Sequence, residues 1–132
     1  MREIIETDKA PAAIGPYSQA VKQEGFIFTS GQLPVGPTGE LITDDIAAAT
    51  RQCLQNIRAV LGAADARLDD VIKVTIYLVD MANFGEVNSV YEGFFTTKPP
   101  ARSCVQVAGL PKGAPIEIEA VACLSKDKTK PA

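Results

Sequence analysis

The sequence predicts an α+β domain in which two α-helices pack on one face of a mixed β-sheet. Three observations support this prediction: short segments alternate apolar and polar residues, two longer segments repeat apolar residues with a helical period, and the order along the chain is β-β-α-β-α-β-β. Two helices with apolar stripes can bury both stripes against the same face of such a sheet.

The predicted strands are short segments with a period of two. Tyr17–Gln23 and Phe26–Ser30 flank a tight turn, and the last two strands lie at Ala101–Val107 and Ile116–Leu124. The clearest alternation runs over Val71–Val79. It places on one side of the sheet Ile72, Val74, Ile76 and Leu78.

Two segments have the apolar spacing of amphipathic helices. The first begins after a cap at Thr43 or Asp44 and ends near residues 62–65. Its apolar face comprises Ile46, Ala49, Cys53, Ile57, Val60, Leu61 and Ala64. The second follows a cap at Asp80 and ends before Pro99-Pro100. Its apolar face comprises Phe84, Val87, Tyr91, Phe94 and Phe95.

Length and charge limit the classes of protein that the chain can belong to. Its 132 residues predict one domain over residues 1–125, followed by a polar C-terminal tail, 126–132. A net charge of −3 and scattered basic residues argue against binding to nucleic acid. No apolar run approaches the ~20 residues of a membrane span, and the start lacks a secretory signal, so we expect a cytoplasmic protein with no membrane partner.

The available functional groups limit the chemistry. The chain contains no histidine, which excludes Ser-His-Asp and Cys-His catalysis and most zinc sites. Cys53, Cys104 and Cys123 lack C-x-x-C spacing, and no phosphate-binding glycine motif is present, so we expect neither a metal nor a cofactor. Any general acid or base must be another titratable side chain or a water that it positions.

Polar side chains concentrate on the last two predicted strands. Arg102, Cys104 and Gln106 share one face of the first, and Glu117 and Glu119 share one face of the second. If these strands pair antiparallel, an arginine and one or two carboxylates meet on the sheet surface away from the helices. That surface is either a site completed by another copy of the chain or a solvated face with an ordinary ion pair, worth under ~1 kcal/mol.

Three other positions admit both a structural and a functional role. Asn88 lies at or beside the apolar stripe of the second helix, where it either bonds a neighbouring loop or belongs to a site. Tyr17 either packs at the start of the first strand or lines a cleft. Gly31, which follows Ser30, either makes a turn or lets a backbone N–H approach a ligand.

Five segments of the chain together resemble the reactive intermediate deaminase family, RidA (formerly YjgF), from about Ile4 to Leu124. The most specific are Pro99-Pro100-Ala101-Arg102-Ser103 and Ile116-Glu117-Ile118-Glu119-Ala120, and the others lie at residues 12–20, 28–32 and 88–95. Where members of that family often carry glycine after the first helix, this chain carries Asp65. Aspartate tolerates the left-handed conformation expected there.

The resemblance implies a fold, an assembly and an activity. The fold would be chorismate-mutase-like (RidA-like), and the assembly a homotrimer with active sites at the subunit interfaces. The activity would be that of a cofactor-independent 2-iminobutanoate/2-iminopropanoate deaminase. Such an enzyme hydrolyses 2-imino acids and 2-aminoacrylate-type enamines to 2-keto acids and ammonia, and it removes reactive products of pyridoxal-phosphate enzymes.

The resemblance also implies residue roles. Arg102 would bind the substrate carboxylate through both oxygens, with the Gly31 N–H at the same end. Glu117 would position or activate the attacking water, which the backbone carbonyl of Cys104 would also hold. The cleft would further be lined by Tyr17, Ser30 and Asn88.

Two other functions remain open. A small-carboxylate-binding or chaperone-like module would use the same clefts without turnover, and it would need Arg102 but not Glu117. A translation-inhibiting endoribonuclease is the other alternative, and the acidic charge, the absence of histidine and an aromatic content of 6% argue against it.

Overall fold

The computed structural model describes residues 1–125, and the predicted polar tail, 126–132, lies outside the described residues. The helices are α1 (Ile46–Ala63) and α2 (Phe84–Phe94). The strands are β1 (Glu3–Ile5), β2 (Ala20–Gln23), β3 (Phe26–Thr29), β4 (Val71–Leu78), β5 (Ala101–Gln106) and β6 (Ile116–Cys123). Short 3₁₀ helices occupy Leu68–Asp70, Met81–Asn83 and Pro111–Gly113. The predicted α+β class and both helices are confirmed, whereas β1, with three residues, is too short to show an alternation and was not predicted.

The six strands form one mixed sheet in the order β1-β2-β3-β6-β4-β5. Every neighbouring pair is antiparallel except β4 and β5, which run parallel. Parallel neighbours need a crossover connection, and α2 lies on the segment that joins β4 to β5. As a result β5 is an edge strand, and β6 is inserted between β3 and β4.

The core lies between one face of the sheet and the two helices. On β6 every second side chain is buried: Ile116, Ile118, Ala120 and Ala122. The α1 helix buries against this face Cys53, Leu54, Ile57, Val60 and Leu61. Removing one such aliphatic side chain from water contributes about 1.5–3 kcal/mol to stability. Glu117 and Glu119 therefore lie on the opposite face, away from the helices.

The alternation of β4 is interrupted near its start. Val71 and Lys73 pair with the adjacent β6 residues Ala122 and Val121, so Ile72 is an extra residue in the ladder. Its side chain is 47% exposed, while Val71 is buried. The prediction that Ile72 belongs to the buried face is therefore wrong, because the β-bulge reverses the facing of the first residues of β4.

The start of each helix differs slightly from its prediction. Asp45, not Thr43 or Asp44, is the N-cap of α1, and its carboxylate accepts a hydrogen bond of 3.0 Å from Ala48 N. Asp80 does cap a helical segment, since its carboxylate accepts from Ala82 N at 2.9 Å. That segment is the 3₁₀ turn before α2, not α2 itself.

The end of α1 is held by two interactions. Asp65 has a φ of 64°, the left-handed conformation expected from the sequence. The next amide, Ala66 N, donates to Leu61 O at 2.9 Å and so satisfies one of the last helical carbonyls. Lys22 on β2 donates from Nζ to Ala64 O at 3.2 Å and places a cation at the negative end of the helix.

Neither helix of the described residues is long and apolar enough to cross a membrane.

Candidate active site

The Arg102 side chain lies on the same face of the sheet as the helices. Its Cα partner on β4 is Val74, whose side chain is buried in the core. The antiparallel pairing that would bring the strands of Arg102 and Glu117 together does not occur, since β4 lies between β5 and β6. The two residues consequently do not share a surface of one chain, because Glu117 pairs with Tyr77 on the opposite face.

The α2 helix holds the Arg102 guanidinium. Arg102 Nη1 donates a hydrogen bond of 2.6 Å to Asn88 Oδ1. The guanidinium carbon also lies 4.7 Å from the centre of the Tyr91 ring and 5.3 Å from that of Phe84. Within residues 1–125 no carboxylate forms an ion pair with Arg102. Most of its N–H donors thus remain available to an anion.

Cys104 lies two residues further along the same edge strand. Burial raises the pKa of its thiol, and the nearby Arg102 charge opposes this shift only in part. A raised pKa keeps the sulfur protonated near neutral pH and makes it a poor nucleophile. Val107 N donates to Leu78 O at 2.8 Å, so the backbone groups of Val107 point toward β4. Because the backbone groups of successive strand residues point alternately to the two sides of the strand, the carbonyl of Cys104, three residues earlier, points to the unpaired outer edge of β5.

Glu117, on the sheet face away from the helices, lines a cavity of about 1190 Å³ that is also lined by Gln52, Gln55 and Asn56 of α1. Its carboxyl group is half-buried, and burial raises its pKa above the usual value, with a further increase from the negative charge of Glu119. A carboxyl group with a raised pKa gives up and takes back a proton nearer to neutral pH than an ordinary glutamate does.

Gly31 lies directly against the Glu117 side chain. A Cβ atom placed on Gly31 would overlap both the carboxylate and the Cγ atom of Glu117. Glycine therefore allows the Glu117 carboxylate to lie in this position, from which an added methyl group would displace it. The neighbouring Gln32 fixes the contact, because its backbone donates to Ile118 O at 2.7 Å and accepts from Ile118 N at 3.1 Å.

Tyr17 and Ser30 line the same cavity. Both were predicted to lie in strands, but β2 begins only at Ala20 and β3 ends at Thr29. Tyr17 is 53% exposed, and its hydroxyl accepts a long hydrogen bond of 3.4 Å from Ile14 N. Ser30 Oγ donates to Ser18 O at 2.5 Å. Ser30 N also donates to Gln19 O at 2.8 Å, which continues the β2–β3 pairing by one step.

Two buried amides that were not among the predicted site residues build the walls of this cavity. Gln19 is 3% exposed and holds the segment 7–11, accepting from Thr7 N at 2.7 Å and donating to Pro11 O at 2.7 Å. Asn56 on α1 donates to Leu33 O and Val35 O, both at 3.1 Å. The signal for Asn56 was present in the sequence, since it is a polar residue beside the apolar Ile57 on the core side of α1.

The predicted site residues therefore form two separate groups in one chain. The arginine group consists of Asn88, Arg102 and Cys104, on the helix-facing side at the β5 edge. The carboxylate group lines the cavity and consists of Tyr17, Ser30, Gly31 and Glu117. No cluster of three or more potential metal-binding side chains occurs within residues 1–125.

Comparisons with known proteins agree with this fold. A sequence model of the family described as Endoribonuclease L-PSP matches residues 7–124. A RutC family protein of Pyrococcus horikoshii is 53% identical over 123 residues, covering 92% of this chain and 98% of that protein. The 2-iminobutanoate/2-iminopropanoate deaminase of Escherichia coli K12 is 50% identical over 126 residues, covering 92% and 98%.

A solved structure has the same fold as this chain. The crystal structure of E. coli TdcF with bound serine superimposes with a TM-score of 0.89 at 46% identity, covering 93% of this chain and 99% of that one. The protein is thus an α+β domain with a six-stranded mixed sheet and two helices, and it shares the fold of this structure. The chain belongs to the RidA (YjgF) family, whose sequence model carries the endoribonuclease description.

Proposed function

We propose that the protein is a hydrolytic deaminase that converts 2-imino acids and 2-aminoacrylate-type enamines to 2-keto acids and ammonia. The observation that carries this proposal is the contact between Gly31 and Glu117, which places a carboxyl group of raised pKa in the wall of a cavity. A deaminase of E. coli that is 50% identical over 126 residues supports the same reaction.

The active site is assembled from two copies of the chain, in a homotrimer. The arginine group binds the carboxylate but lies on the face opposite to Glu117, so a single chain cannot present both to one small substrate. The unpaired edge of β5 and the exposed apolar side chains on the open sheet face, Ile4, Phe26 and Phe28, offer surface for contact with a second copy.

The chemistry in this site needs orientation and one proton carrier. Arg102 pairs with the substrate carboxylate and fixes the C=N carbon near the cavity. A water held by Glu117 and the Cys104 carbonyl attacks this carbon, and Glu117 accepts a proton from it. Glu117 returns that proton to the nitrogen of the resulting carbinolamine. With the imine entering in its protonated form, the C–N bond then breaks as Glu117 accepts the hydroxyl proton of the carbinolamine, which leaves the keto acid and ammonia, and Glu117 passes that proton to solvent.

The test is release of ammonia or keto acid from 2-iminopropanoate, generated in situ by an amino-acid oxidase, with semicarbazide competing for the imine. Acceleration by the protein at substoichiometric amounts, lost in Arg102→Ala, supports the proposal. If the wild-type protein does not change the rate, the deaminase function is rejected.

The same cleft could bind a carboxylate without turning it over, as in a sensor or chaperone-like module. Glu117→Gln separates the two functions, because a binding module needs Arg102 but has no use for a proton carrier. In its physiological setting we propose that the enzyme acts in the cytoplasm and removes reactive imines released by pyridoxal-phosphate enzymes. This setting is what the resemblance to the family implies.

A further inference from the structure

The stripe of α2 that faces Arg102 contains three residues with helical spacing. Phe84, Asn88 and Tyr91 are four and three positions apart, so their side chains lie in one row. All three touch the same guanidinium: Asn88 by a hydrogen bond of 2.6 Å, Tyr91 at 4.7 Å and Phe84 at 5.3 Å. The sequence predicted the two aromatic residues only as core.

We propose that Tyr91 is a positioning residue for carboxylate binding, and that it acts by presenting its ring face to Arg102. This inference rests on the proposed function of Arg102 and adds a determinant of its geometry. A carboxylate is bound through both oxygens only if the guanidinium plane has the correct orientation. Asn88 fixes one edge of that plane, and the Tyr91 ring supports its face.

The environment of the Tyr91 hydroxyl group indicates that the ring, and not the hydroxyl, positions Arg102. Tyr91 is 5% exposed, and its hydroxyl is the one buried side-chain polar atom among residues 1–125 that has no hydrogen-bond partner. An unpartnered buried hydroxyl destabilises a fold. The ring, in contrast, contacts both Arg102 and the Phe95 ring, whose centre lies 4.7 Å away. Phenylalanine should therefore replace Tyr91 in this role, whereas an aliphatic residue should not.

The chain offers a matched control on the same helix. Phe94 stacks on a different arginine, with the guanidinium carbon of Arg58 at 5.2 Å from the ring centre. Phe94→Leu removes a contact of the same kind, from the same helix, without touching Arg102. A general effect of weakening α2 should appear in both variants, but an effect on Arg102 should appear only at position 91.

The experiment measures binding of 2-oxobutanoate and of its uncharged amide by calorimetry, together with kcat and KM for imine turnover. We expect Tyr91→Leu to bind the carboxylate about five- to tenfold more weakly, as for a lost cation–π contact, and to raise KM more than it lowers kcat. Binding of the amide should not change. Tyr91→Phe should restore carboxylate affinity and raise Tm, and Phe94→Leu should lower Tm without changing affinity.

The outcomes separate this inference from the proposed function. Unchanged carboxylate affinity in a folded Tyr91→Leu overturns the positioning role, even if the wild-type protein is an active deaminase. If Tyr91→Leu does not fold, Phe84→Leu provides the same comparison, because its ring also faces Arg102. Loss of affinity in Tyr91→Phe equal to that in Tyr91→Leu overturns the role of the ring and assigns it to the hydroxyl. A wild-type protein without imine turnover that still binds the carboxylate rejects only the deaminase function.

Discussion

The backbone of Gly31 lies against the carboxylate of Glu117 so closely that no side chain fits between them. Gly31→Ala should therefore displace the Glu117 carboxyl group, which can move because it is the end of a flexible side chain. We expect kcat/KM to fall at least about tenfold, as when a proton-transferring group is misplaced. The free energy of unfolding should change by less than about 1 kcal/mol.

The control for this variant is Gly93→Ala. Gly93 lies in α2 with open space around its Cα, so alanine should stabilise the helix by about 0.5–1 kcal/mol. Kinetics and urea unfolding measured on both variants separate displacement of Glu117 from a general effect of an added methyl group. A fully active Gly31→Ala would show that the position of the carboxylate is not critical.

Arg102→Ala should lower kcat/KM for 2-iminopropanoate by at least ~10²-fold, since a charge-assisted contact to the carboxylate worth a few kcal/mol is removed. Arg102→Lys keeps the charge but loses the planar fork, so we expect an intermediate rate. Steady-state kinetics of the three proteins measure this order. Near-wild-type turnover in Arg102→Ala would reject Arg102 as the carboxylate-binding residue.

Glu117→Gln should abolish most turnover and retain carboxylate binding, because glutamine holds a water but cannot carry its proton. The pKa of Glu117 is raised in the folded protein, so folding favours its protonated form. This stabilisation is present below the unfolded-state pKa and is lost as pH rises through the raised pKa. The free energy of unfolding of Glu117→Gln minus that of wild type should therefore increase from about pH 4 to about pH 7, as measured by urea unfolding at both values.

Glu119 tunes the same carboxyl group. Its negative charge contributes to the raised pKa of Glu117, after burial. Glu119→Gln should consequently lower the pKa of Glu117 and move the acidic limb of the kcat/KM–pH profile to lower pH. The profile of wild type and variant, recorded in buffers of constant ionic strength, provides the measurement. A shift to higher pH, or none, would mean that Glu117 does not set the acidic limb.

Cys104→Ser should retain most activity, because the proposed role of Cys104 uses its backbone carbonyl on the free edge of β5. The raised pKa of its thiol argues in the same direction, since it keeps the sulfur protonated. Kinetics of the folded variant test this expectation. A collapse of turnover without a change in assembly would assign a chemical role to the sulfur.

Periodicity predicted the local structure well. The alternation over β4 and β6 and the helical spacing in α1 and α2 place most of the core correctly, because burial of apolar side chains decides both patterns. Asp65 also adopts the predicted left-handed conformation. The exception within these core patterns is Ile72. The bulge there depends on how β4 pairs with β6, and this pairing is not a property of either strand alone.

The arrangement of the candidate site could be predicted only in part. Asn88 was singled out because a polar residue on an apolar helix stripe needs a partner. Arg102 and Glu117 were singled out because polar side chains share one face of each of the last two strands, and their roles came from the resemblance. Their positions in space depend on strand order, and local pattern does not reveal that β6 is inserted between β3 and β4. The face occupied by Arg102 was therefore predicted incorrectly, and the pairing that would have brought it to the Glu117 strand does not occur.

In the proposed assembly, Arg102 of one copy and Glu117 of another act in the same site. The most direct measurement mixes Arg102→Ala with Glu117→Gln, by co-refolding equal amounts, and records imine turnover. Each variant alone should be inactive. In a closed ring assembled at random, about one quarter of the interfaces pair an intact Arg102 with an intact Glu117. Recovery of about a quarter of wild-type activity is the predicted result, and a mixture no more active than the two variants refolded separately would contradict the shared site.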